Sequence, residues 1–349
     1  MTDFWTDSVR GLTPYVPGEQ RTGPDIVKLN TNENPYPPSP QVIDALRAVS
    51  GDALRRYPDP ESTALRQTLA DYHGLNIDQV FVGNGSDEIL ALAFLTFFAN
   101  GKALQFPDIS YSFYPVYCNL YSIEAHTVSL EQDYSLELER FMPNAGGIVF
   151  PNPNAPTACD VSMDAVANLL DKHTDQVLLV DEAYADFGAQ SVVSLVNKYP
   201  NLLVSHTFSK GRSMAGLRLG VAFGDSDLIE GLQRVKNSFN SYPVDVMAQA
   251  AGIASIKDNT YYRETVDKII ETRQQTISAL KDKGFDVLPS AANFVFARPV
   301  GGNAAGVYEK LNQAGVLVRY WSKPRLDEWL RISIGTPDEM ARLLSCLDA

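Results

Sequence analysis

One lysine of this 349-residue chain has neighbours that could make it a chemical nucleophile. Lys210 follows an apolar run at residues 202–204 that predicts a buried strand, and a second strand is expected from Leu217 to Phe223. An ammonium group held near a low-dielectric interior loses its proton more readily than one in water. The surrounding residues are of the types that hold a phosphate group, namely Thr207, Ser209, Arg212 and Arg218. The stretch therefore predicts a covalent bond between the lysine and a phosphorylated aldehyde.

Pyridoxal phosphate is the cofactor that such a lysine binds as a Schiff base. It requires an acid beside its ring nitrogen, a donor to its phenolic oxygen and a group stacked on its ring. Asp181 is the best acid, because it follows four apolar residues and a buried carboxylate needs a charged or hydrogen-bonding partner. An ion pair there would gain about 4 kcal/mol at about 4 Å and a dielectric constant of about 20. Tyr184 and an asparagine of residues 152–154 could reach the phenolic oxygen, and Tyr111 could stack on the ring.

A second anion site is predicted where a short strand turns into an apolar helix, at residues 79–98. Gly83 and Gly85 allow close approach of the backbone. Ser86 and Asp87 fall in the first helical turn, where free N–H groups and the helix dipole favour an anion. The glycine spacing differs from the dinucleotide-binding fingerprint, which disfavours a nicotinamide-dependent oxidoreductase.

Strands and helices alternate along most of the chain, a pattern typical of an α/β protein with helices on both faces of a parallel sheet. Ligands gather at the carboxyl ends of the strands in such sheets. Four candidate site residues directly follow predicted strands, and we expect them to share one crevice: Gly85, Asn154, Asp181 and Lys210. Helices are expected at residues 64–72, capped by Ser62 and ended by Gly74, and at residues 111–121 and 161–170.

The alternation of short strands and helices gives way to a long helical region near Pro243, which predicts two structural units. Residues 35–245 are expected to form a large cofactor-binding domain. Residues 246–349 are expected to form a smaller α+β domain that opens with a long helical region, broken near Asn259. Residues 1–34 are predicted to form an irregular N-terminal arm that packs on the smaller domain.

Composition narrows the possible partners and the compartment. The net charge of -13 and the pI near 4.8 argue against a nucleic-acid or anionic-membrane surface. No apolar run reaches the ~18 residues of a membrane span, and the first residues lack the apolar core of a signal peptide. The three cysteines and four histidines show neither metal-ligand spacing nor a disulfide framework. We therefore expect a cytoplasmic protein without a metal site.

The chain resembles the aspartate-aminotransferase-like enzymes of fold type I and, within them, the histidinol-phosphate aminotransferases. The motifs that carry this resemblance run in the family's order over essentially the whole chain. They are LTPYVPGE, LNTNENPYP, RYPDP, GNGSDE, SYSFY, NAPTA, VDEAY, TFSKGRSMAGLRLG, LVR and LRISIGT. VDEAY together with the lysine motif is specific for the superfamily, and LTPYVPGE with RYPDP points to the subfamily.

The resemblance implies a large domain with a mostly parallel seven-stranded sheet flanked by helices, and a role for each matching residue. Lys210 would bind pyridoxal phosphate, Asp181 would pair with its ring nitrogen, and Tyr184 would bond its phenolic oxygen. Tyr111 would stack on the ring. The residues around the cofactor phosphate would be Gly85, Ser86, Asp87, Thr207, Ser209 and Arg218. The chain departs from the family pattern at Ala155 and Ala158, so the usual asparagine role passes to Asn154.

The resemblance also implies how substrate is bound. Tyr57 would come from a second subunit, which implies an obligate homodimer with shared active sites. Arg319 and Arg331 would meet the anionic end of the substrate. Tyr15 and the loop at residues 32–34, with Asn34, would close over it.

The implied reaction transfers the amino group of L-histidinol phosphate to 2-oxoglutarate, giving imidazole acetol phosphate and glutamate in histidine biosynthesis. Lys210 would act as the base, and Arg331 would accept a phosphate in one half-reaction and a carboxylate in the other. Three alternatives remain at this point. They are an aromatic or broad amino-acid aminotransferase, a threonine-phosphate decarboxylase, and a non-catalytic regulatory module that binds the cofactor. The last is disfavoured by the intact Lys210 and Asp181 and by the lack of a basic DNA-binding extension.

Overall fold

The computed structural model describes residues 4–348, and three β-sheets organise them. The strands are β1 (Val27–Lys28), β2 (Val80–Asn84), β3 (Leu104–Pro107), β4 (Ala125–Val128), β5 (Gly147–Pro151), β6 (Leu178–Asp181), β7 (Leu202–Thr207), β8 (Leu219–Gly224), β9 (Phe285–Val287), β10 (Phe294–Pro299), β11 (Val316–Leu317), β12 (Arg319–Tyr320) and β13 (Leu330–Ser333). The helices are α1 (Asp7–Arg10), α2 (Pro40–Arg47), α3 (Gly51–Leu54), α4 (Thr63–His73), α5 (Gly85–Ala93), α6 (Tyr114–Leu120), α7 (Met163–Lys172), α8 (Ser226–Phe239), α9 (Val246–Lys257), α10 (Asn259–Asp282), α11 (Ala304–Gln313) and α12 (Pro337–Asp348).

The largest sheet has seven strands in the order β2-β8-β7-β6-β5-β3-β4. Strand β8 is antiparallel to both of its neighbours, and the other pairs are parallel. Leu178 and Val180 pack into the core on one face, and Leu179 packs into the core on the other. Burial on both faces explains why β6, which contains these residues, is a continuous apolar run instead of an alternating one. The predicted α/β fold with a mostly parallel seven-stranded sheet is confirmed.

Strands β2, β5, β6 and β7 run in the same direction and end at one edge of this sheet. That edge receives the segments that follow each strand, and with them the predicted residues Gly85, Asn154, Asp181 and Lys210. A Cβ atom on Gly220 in β8 would lie 2.4 Å from the backbone carbon of Gly85. A glycine is therefore required there for β8 to pack against the turn that begins α5.

Three local predictions differ from the structure. Strand β8 begins at Leu219, not Leu217, because residues 215–217 form a 3-10 turn and Arg218 has a left-handed backbone (φ 52°). Helix α6 begins at Tyr114, so Tyr111 lies in the preceding turn. Pro115 in the first turn accounts for this start, since proline is tolerated only where the amide N–H has no helical partner.

The third difference concerns the start of α4. Ser62 occupies the cap position, but its backbone is left-handed and its side chain caps nothing. The carboxylate of Asp59 accepts from the N–H of Thr63 instead, at 2.7 Å. Gly74 ends this helix in a left-handed conformation, as predicted. Sequence reasoning also missed α8 and the short strands β1 and β9.

The remaining strands form two smaller sheets beside the large one. One is antiparallel with the order β12-β13-β10-β9, and the other pairs β1 with β11 in parallel. Through β1 the N-terminal segment joins the core formed by α10, α11, α12 and these strands. The predicted break in the long helical region falls at Asp258, between α9 and α10. The domain limits 1–34, 35–245 and 246–349 stay a prediction.

Residues 4–348 contain neither a membrane-spanning helix nor a cluster of metal-ligating side chains. None of the helices there combines the length and apolarity needed to cross a membrane. In the same part of the chain, no group of three or more His, Cys, Asp or Glu side chains is arranged to hold a metal ion.

Candidate active site

Lys210 lies in the loop after β7, where its amine is enclosed by neighbouring groups. Its Nζ atom donates to the carbonyl oxygen of Thr31 at 3.0 Å and lies 5.8 Å from the centre of the Tyr184 ring. Burial, together with the positive charge of Arg331, lowers the pKa of Lys210 to about 8, and Glu33 opposes this shift. About a tenth of the amine is then neutral at pH 7, against well under a thousandth for an ordinary lysine. Lys210 is therefore able to act as a nucleophile or a base near neutral pH.

The backbone of Lys210 is held in place by groups on two sides. The Asn34 Nδ2 atom donates to the carbonyl oxygens of Lys210 and Gly211, at 3.1 and 3.2 Å. The Asn34 Oδ1 atom accepts from the N–H of Tyr36 at 3.0 Å. On the other side, a Cβ atom on Gly211 would collide with the carboxylate of Asp186. Asn34 thus uses its amide to fix the lysine loop, and its predicted contact with substrate stays a prediction.

Asp181 ends β6, and it is 4% exposed. Its carboxylate accepts from the hydroxyl of Ser205 at 3.0 Å and from that of Tyr114 at 3.1 Å. Burial raises the pKa of Asp181 to about 6, although the two hydroxyl donors oppose this shift. No cationic side chain among residues 4–348 forms an ion pair with Asp181. The carboxylate is therefore suited to a cationic group of a ligand.

Asn152 and Asn154 differ in what their side chains can still bind. Both side-chain atoms of Asn152 bond the backbone of Val161, at 3.1 and 2.9 Å. The Asn154 Nδ2 atom donates to the carbonyl of Ile109 and the hydroxyl of Thr157, both at 3.0 Å. The Asn154 Oδ1 atom is buried without a hydrogen-bond partner. Of the two, Asn154 is thus the side chain with capacity left for a ligand.

Tyr184 follows Asp181 by three residues and joins the same group of side chains. Its hydroxyl accepts from the Nδ2 atom of Asn32 at 3.0 Å. Its ring meets the ring of Phe294 edge-on, with centroids 4.9 Å apart. Burial raises the pKa of Tyr184, so the phenol keeps its proton at neutral pH and stays a donor.

The start of α5 lies beside Arg218, and the second anion site stays a prediction there. The Asp87 carboxylate accepts from the Tyr111 hydroxyl at 2.9 Å and from the Arg218 guanidinium at 3.0 Å. A Cβ atom on Gly85 would lie 2.6 Å from the Arg218 Nη2 atom, so only glycine leaves room for this guanidinium. The Ser86 and Ser209 hydroxyls donate to no other residue in the described chain.

Thr207 is the last residue of β7 and is one of the residues predicted to surround the cofactor phosphate. Its hydroxyl oxygen accepts from the backbone N–H of Ser209 at 3.1 Å. Both residues are buried. Hydroxyl groups and a cation around a helix start are the groups that hold a phosphate.

Arg319 and Arg331 form a second cationic centre. They are opposite each other in the pairing of β12 with β13, so their side chains leave the same face of the sheet. The Arg331 Nη2 atom donates to the carbonyl of Asn30 at 2.7 Å, while its Nε atom is buried without a partner. Burial lowers the pKa of Arg331, and Arg319 lowers it further. Within residues 4–348 neither arginine pairs with a carboxylate, so the two positive charges are left for a ligand.

The two remaining predicted residues lie at the rim and on the surface. Tyr15 stacks on Phe113 with ring centroids 4.5 Å apart, and nearby Gly18 lies against the Arg319 guanidinium. Tyr57 is not brought to the other residues within one chain. Its ring is 81% exposed and stacks on Tyr242 at 4.6 Å.

Sequence reasoning missed several residues of the site, most clearly Ser205 and Tyr114. Ser205 is the register partner of Asp181, and it directly follows the apolar residues 202–204 of β7, which is a signal for a buried polar contact. Tyr114 belongs to the quoted SYSFY motif, but nothing in the sequence shows that it faces Asp181. Trp321, which lies 5.4 Å from both Arg319 and Arg331, gave no signal.

The site combines a lysine of lowered pKa with a buried carboxylate that has no cationic partner, and arginines lie at two separate places around them. These groups suit a reaction that transfers an amino group from a substrate with an anionic end. The chain belongs to the aminotransferase class I and II family, whose sequence pattern matches residues 24–347. Several relatives that match over nearly their full length are histidinol-phosphate aminotransferases. It is 52% identical over 349 residues to that of Chromohalobacter salexigens, covering 100% of this chain and 99% of the relative. It is 51% identical over 347 residues to histidinol-phosphate aminotransferase 1 of Hydrogenovibrio crunogenus, covering 99% and 98%.

Solved structures agree with this assignment. The chain is similar to histidinol-phosphate aminotransferase from Sinorhizobium meliloti in complex with pyridoxal-5'-phosphate, with a TM-score of 0.88 and 25% identity. That match covers 99% of this chain and 97% of the other. The fold is also shared with Thermus thermophilus aspartate aminotransferase, with a TM-score of 0.82 at 18% identity. The resemblance inferred from the motifs is confirmed.

The lowered pKa of Lys210 predicts its reactivity in cofactor-free protein. The rate of its acetylation should rise with pH and reach half of its maximum near pH 8, because burial favours the neutral amine. Other lysines should reach half of their maximal acetylation rate at about pH 10.4. Competitive labelling with limiting acetic anhydride, followed by peptide mass spectrometry, measures all sites in one sample.

The matched control is Arg331→Leu, which removes the nearest positive charge. The half-maximal pH of Lys210 labelling should move upward in this variant, since Arg331 is the second cause of the shift. A Lys210 profile that coincides with those of the other lysines would contradict the account.

Proposed function

We propose that the protein is a pyridoxal-phosphate-dependent aminotransferase that converts L-histidinol phosphate and 2-oxoglutarate into imidazole acetol phosphate and glutamate. The observation that carries this proposal is the pair Arg319 and Arg331, which are opposite each other without a carboxylate partner. Two unpaired guanidinium groups suit the doubly charged end of a phosphate monoester. The names of the full-length relatives support the same substrate.

The cofactor fits the groups that the chain leaves unpaired. Asp181 is buried without a cationic partner, which suits a protonated ring nitrogen, and Asn154 retains a free buried oxygen. Lys210 would hold the aldehyde carbon, Tyr184 the phenolic oxygen and Tyr111 the ring face. The phosphate would lie among Gly85, Ser86, Asp87, Thr207, Ser209 and Arg218. When bound, pyridoxal phosphate supplies an electron-withdrawing ring that makes the amine-bearing carbon of the substrate acidic.

Lys210 is the proposed base in this reaction. A pKa near 8 would allow its Nζ atom to take the proton from the amine-bearing carbon of the substrate and to pass it to the former aldehyde carbon of the cofactor. The contacts of Asn34 with the backbone around Lys210 fix the base relative to the strand ends. Such positioning lowers the barrier because no freedom of motion is lost when the proton moves.

The anion site must serve both half-reactions. The phosphate of histidinol phosphate would bind Arg319 and Arg331 in the first, and the distal carboxylate of 2-oxoglutarate would take its place in the second. A planar guanidinium accepts either anion through paired N–H donors. An aromatic amino acid brings no charge to this end of the site, so the unpaired charges disfavour an aromatic aminotransferase.

A homodimer with shared sites is part of this proposal. Exposed apolar side chains in the two segments that contain Tyr57 and its stacking partner Tyr242 support it. These are Leu54, Tyr57, Phe239 and Tyr242. A second copy would cover this surface and take the Tyr57 hydroxyl into its own site. The cytoplasmic location stays a prediction from the sequence.

Removing an arginine should weaken substrate binding more than it slows the chemistry. Arg331→Ala should lower kcat/KM for histidinol phosphate about a hundredfold, mostly through KM, because a buried charged hydrogen-bond donor is worth about 3 kcal/mol. Arg319→Ala should also lower kcat/KM for histidinol phosphate, mostly through a higher KM. Steady-state assays with histidinol phosphate, histidinol, phenylalanine, tyrosine and threonine phosphate measure this and rank the substrates.

Arg298→Ala is the control, because Arg298 pairs with Asp286 and Glu328 on the surface. It should leave kcat/KM unchanged. Equal turnover of histidinol phosphate by wild type and Arg331→Ala would refute the anion-site assignment. Faster turnover of phenylalanine than of histidinol phosphate would refute the proposed substrate.

The shared site predicts complementation between two weakened variants. Lys210→Ala should be inactive, and Tyr57→Ala should lose most of its activity. A 1:1 mixture refolded together should regain about a quarter of wild-type activity, because half of the dimers are hybrids with one intact site of two. Activity equal to the mean of the two parents would show that Tyr57 serves only its own chain.

A further inference from the structure

We propose that Trp321 holds Arg319 beside Arg331 and so gives the anion site its preference for a phosphate over a carboxylate. The inference rests on the proposed function, because it concerns the site where the substrate phosphate would bind. Trp321 follows β12 directly, two residues after Arg319. It belongs to none of the motifs by which the chain resembles its family.

The indole of Trp321 lies close to both guanidinium groups. The distance from its ring centre to the central guanidinium carbon is 5.4 Å for Arg319 and 5.4 Å for Arg331. Both distances fall within the range in which a cation is attracted by the face of an aromatic ring. The indole itself packs against the cluster that contains Phe296 and Trp329. One anchored ring therefore contacts two like charges.

The partners of the arginines are neutral throughout the described chain. Arg331 contacts the carbonyl of Asn30 and lies over the ring of Phe294, and neither partner carries a charge. A carboxylate could also hold two arginines together, but it would cancel the charge that the substrate must find. An aromatic face attracts the cations and leaves their charge and N–H donors available to a ligand.

The two arginines depend on Trp321 to different degrees. Arg331 keeps its hydrogen bond to Asn30 and its contact with Phe294 when the indole is removed. Arg319 donates no hydrogen bond to any residue within 4–348, and repulsion from Arg331 favours its movement toward solvent. Without Trp321, a phosphate should lose one of two guanidinium partners, whereas a carboxylate should keep Arg331. The indole thus acts as a positioning residue for Arg319.

The test compares three variants of the cofactor-loaded enzyme. Trp321→Leu removes the ring, and Trp321→Phe keeps a smaller ring face. Tyr320→Leu is the matched control, because Tyr320 stacks on Tyr308 and points to the opposite face of β12. The measurements are KM and kcat for histidinol phosphate and for 2-oxoglutarate, and the calorimetric Kd for inorganic phosphate.

Trp321→Leu should raise KM for histidinol phosphate and Kd for inorganic phosphate about tenfold, as expected for losing contacts of this type with two cations. KM for 2-oxoglutarate should change about twofold or less, and kcat should stay within about twofold. Trp321→Phe should recover most of the phosphate affinity. Tyr320→Leu should leave the ratio of the two KM values unchanged.

Equal increases in KM for both substrates, unchanged phosphate binding, or a loss confined to kcat would each overturn the inference. The same increase in Tyr320→Leu would overturn it as well, since the effect would then come from the strand. A wild-type enzyme that does not turn over histidinol phosphate would refute the proposed function instead. The Kd values for inorganic phosphate would still decide the role of Trp321 in that case.

Discussion

The burial of one amine is the physical constraint on which the site depends. Burial disfavours the charged form of Lys210, and the neighbouring Arg331 adds to this effect, so the neutral amine is populated near neutral pH. This requires a fixed position for the lysine. The amide of Asn34 bonds two carbonyls of the lysine loop, and the lack of a side chain at Gly211 lets that loop pack on Asp186. The end of β7 delivers the loop to the edge of the sheet.

Charged side chains without a partner of opposite charge lie at two places in the site and are available to bind ligands. Asp181 is buried with hydroxyl donors but no cation, and Arg319 and Arg331 are adjacent without an anion. A folded protein normally compensates buried charge internally, since isolated charge in a low-dielectric interior is costly. Here the compensating groups are proposed to be the cofactor ring and the substrate. Because the overall charge of -13 would repel an anion, the binding of an anionic substrate must come from these local arginines.

The sequence predicted the fold and the sheet edge because those signals are local. Asp181 ends an apolar run of the kind that forms a buried strand, and the same holds for the strand before Lys210. The matching of motifs then supplied the family. Short elements escaped detection, since a two-residue strand such as β1 carries no periodic pattern and exists only by pairing with β11.

Contacts between distant segments could not be predicted from local patterns. Asp87 at the start of α5 contacts Arg218, which lies 131 positions later in the sequence, and Asn34 contacts Lys210, which lies 176 positions later. The family resemblance assigned Asn34 to the substrate, and no local pattern around it indicated a contact with the lysine loop. Its actual contacts with backbone carbonyls depend on the fold of the whole chain.

Lys210 alone would carry the cofactor, and borohydride reduction tests this role most directly. The protein would be incubated with pyridoxal phosphate, reduced, digested and mapped by mass spectrometry. The account predicts one modified peptide containing Lys210, and none in a Lys210→Ala variant. Modification spread over several lysines, or retained at the same level in Lys210→Ala, would contradict it.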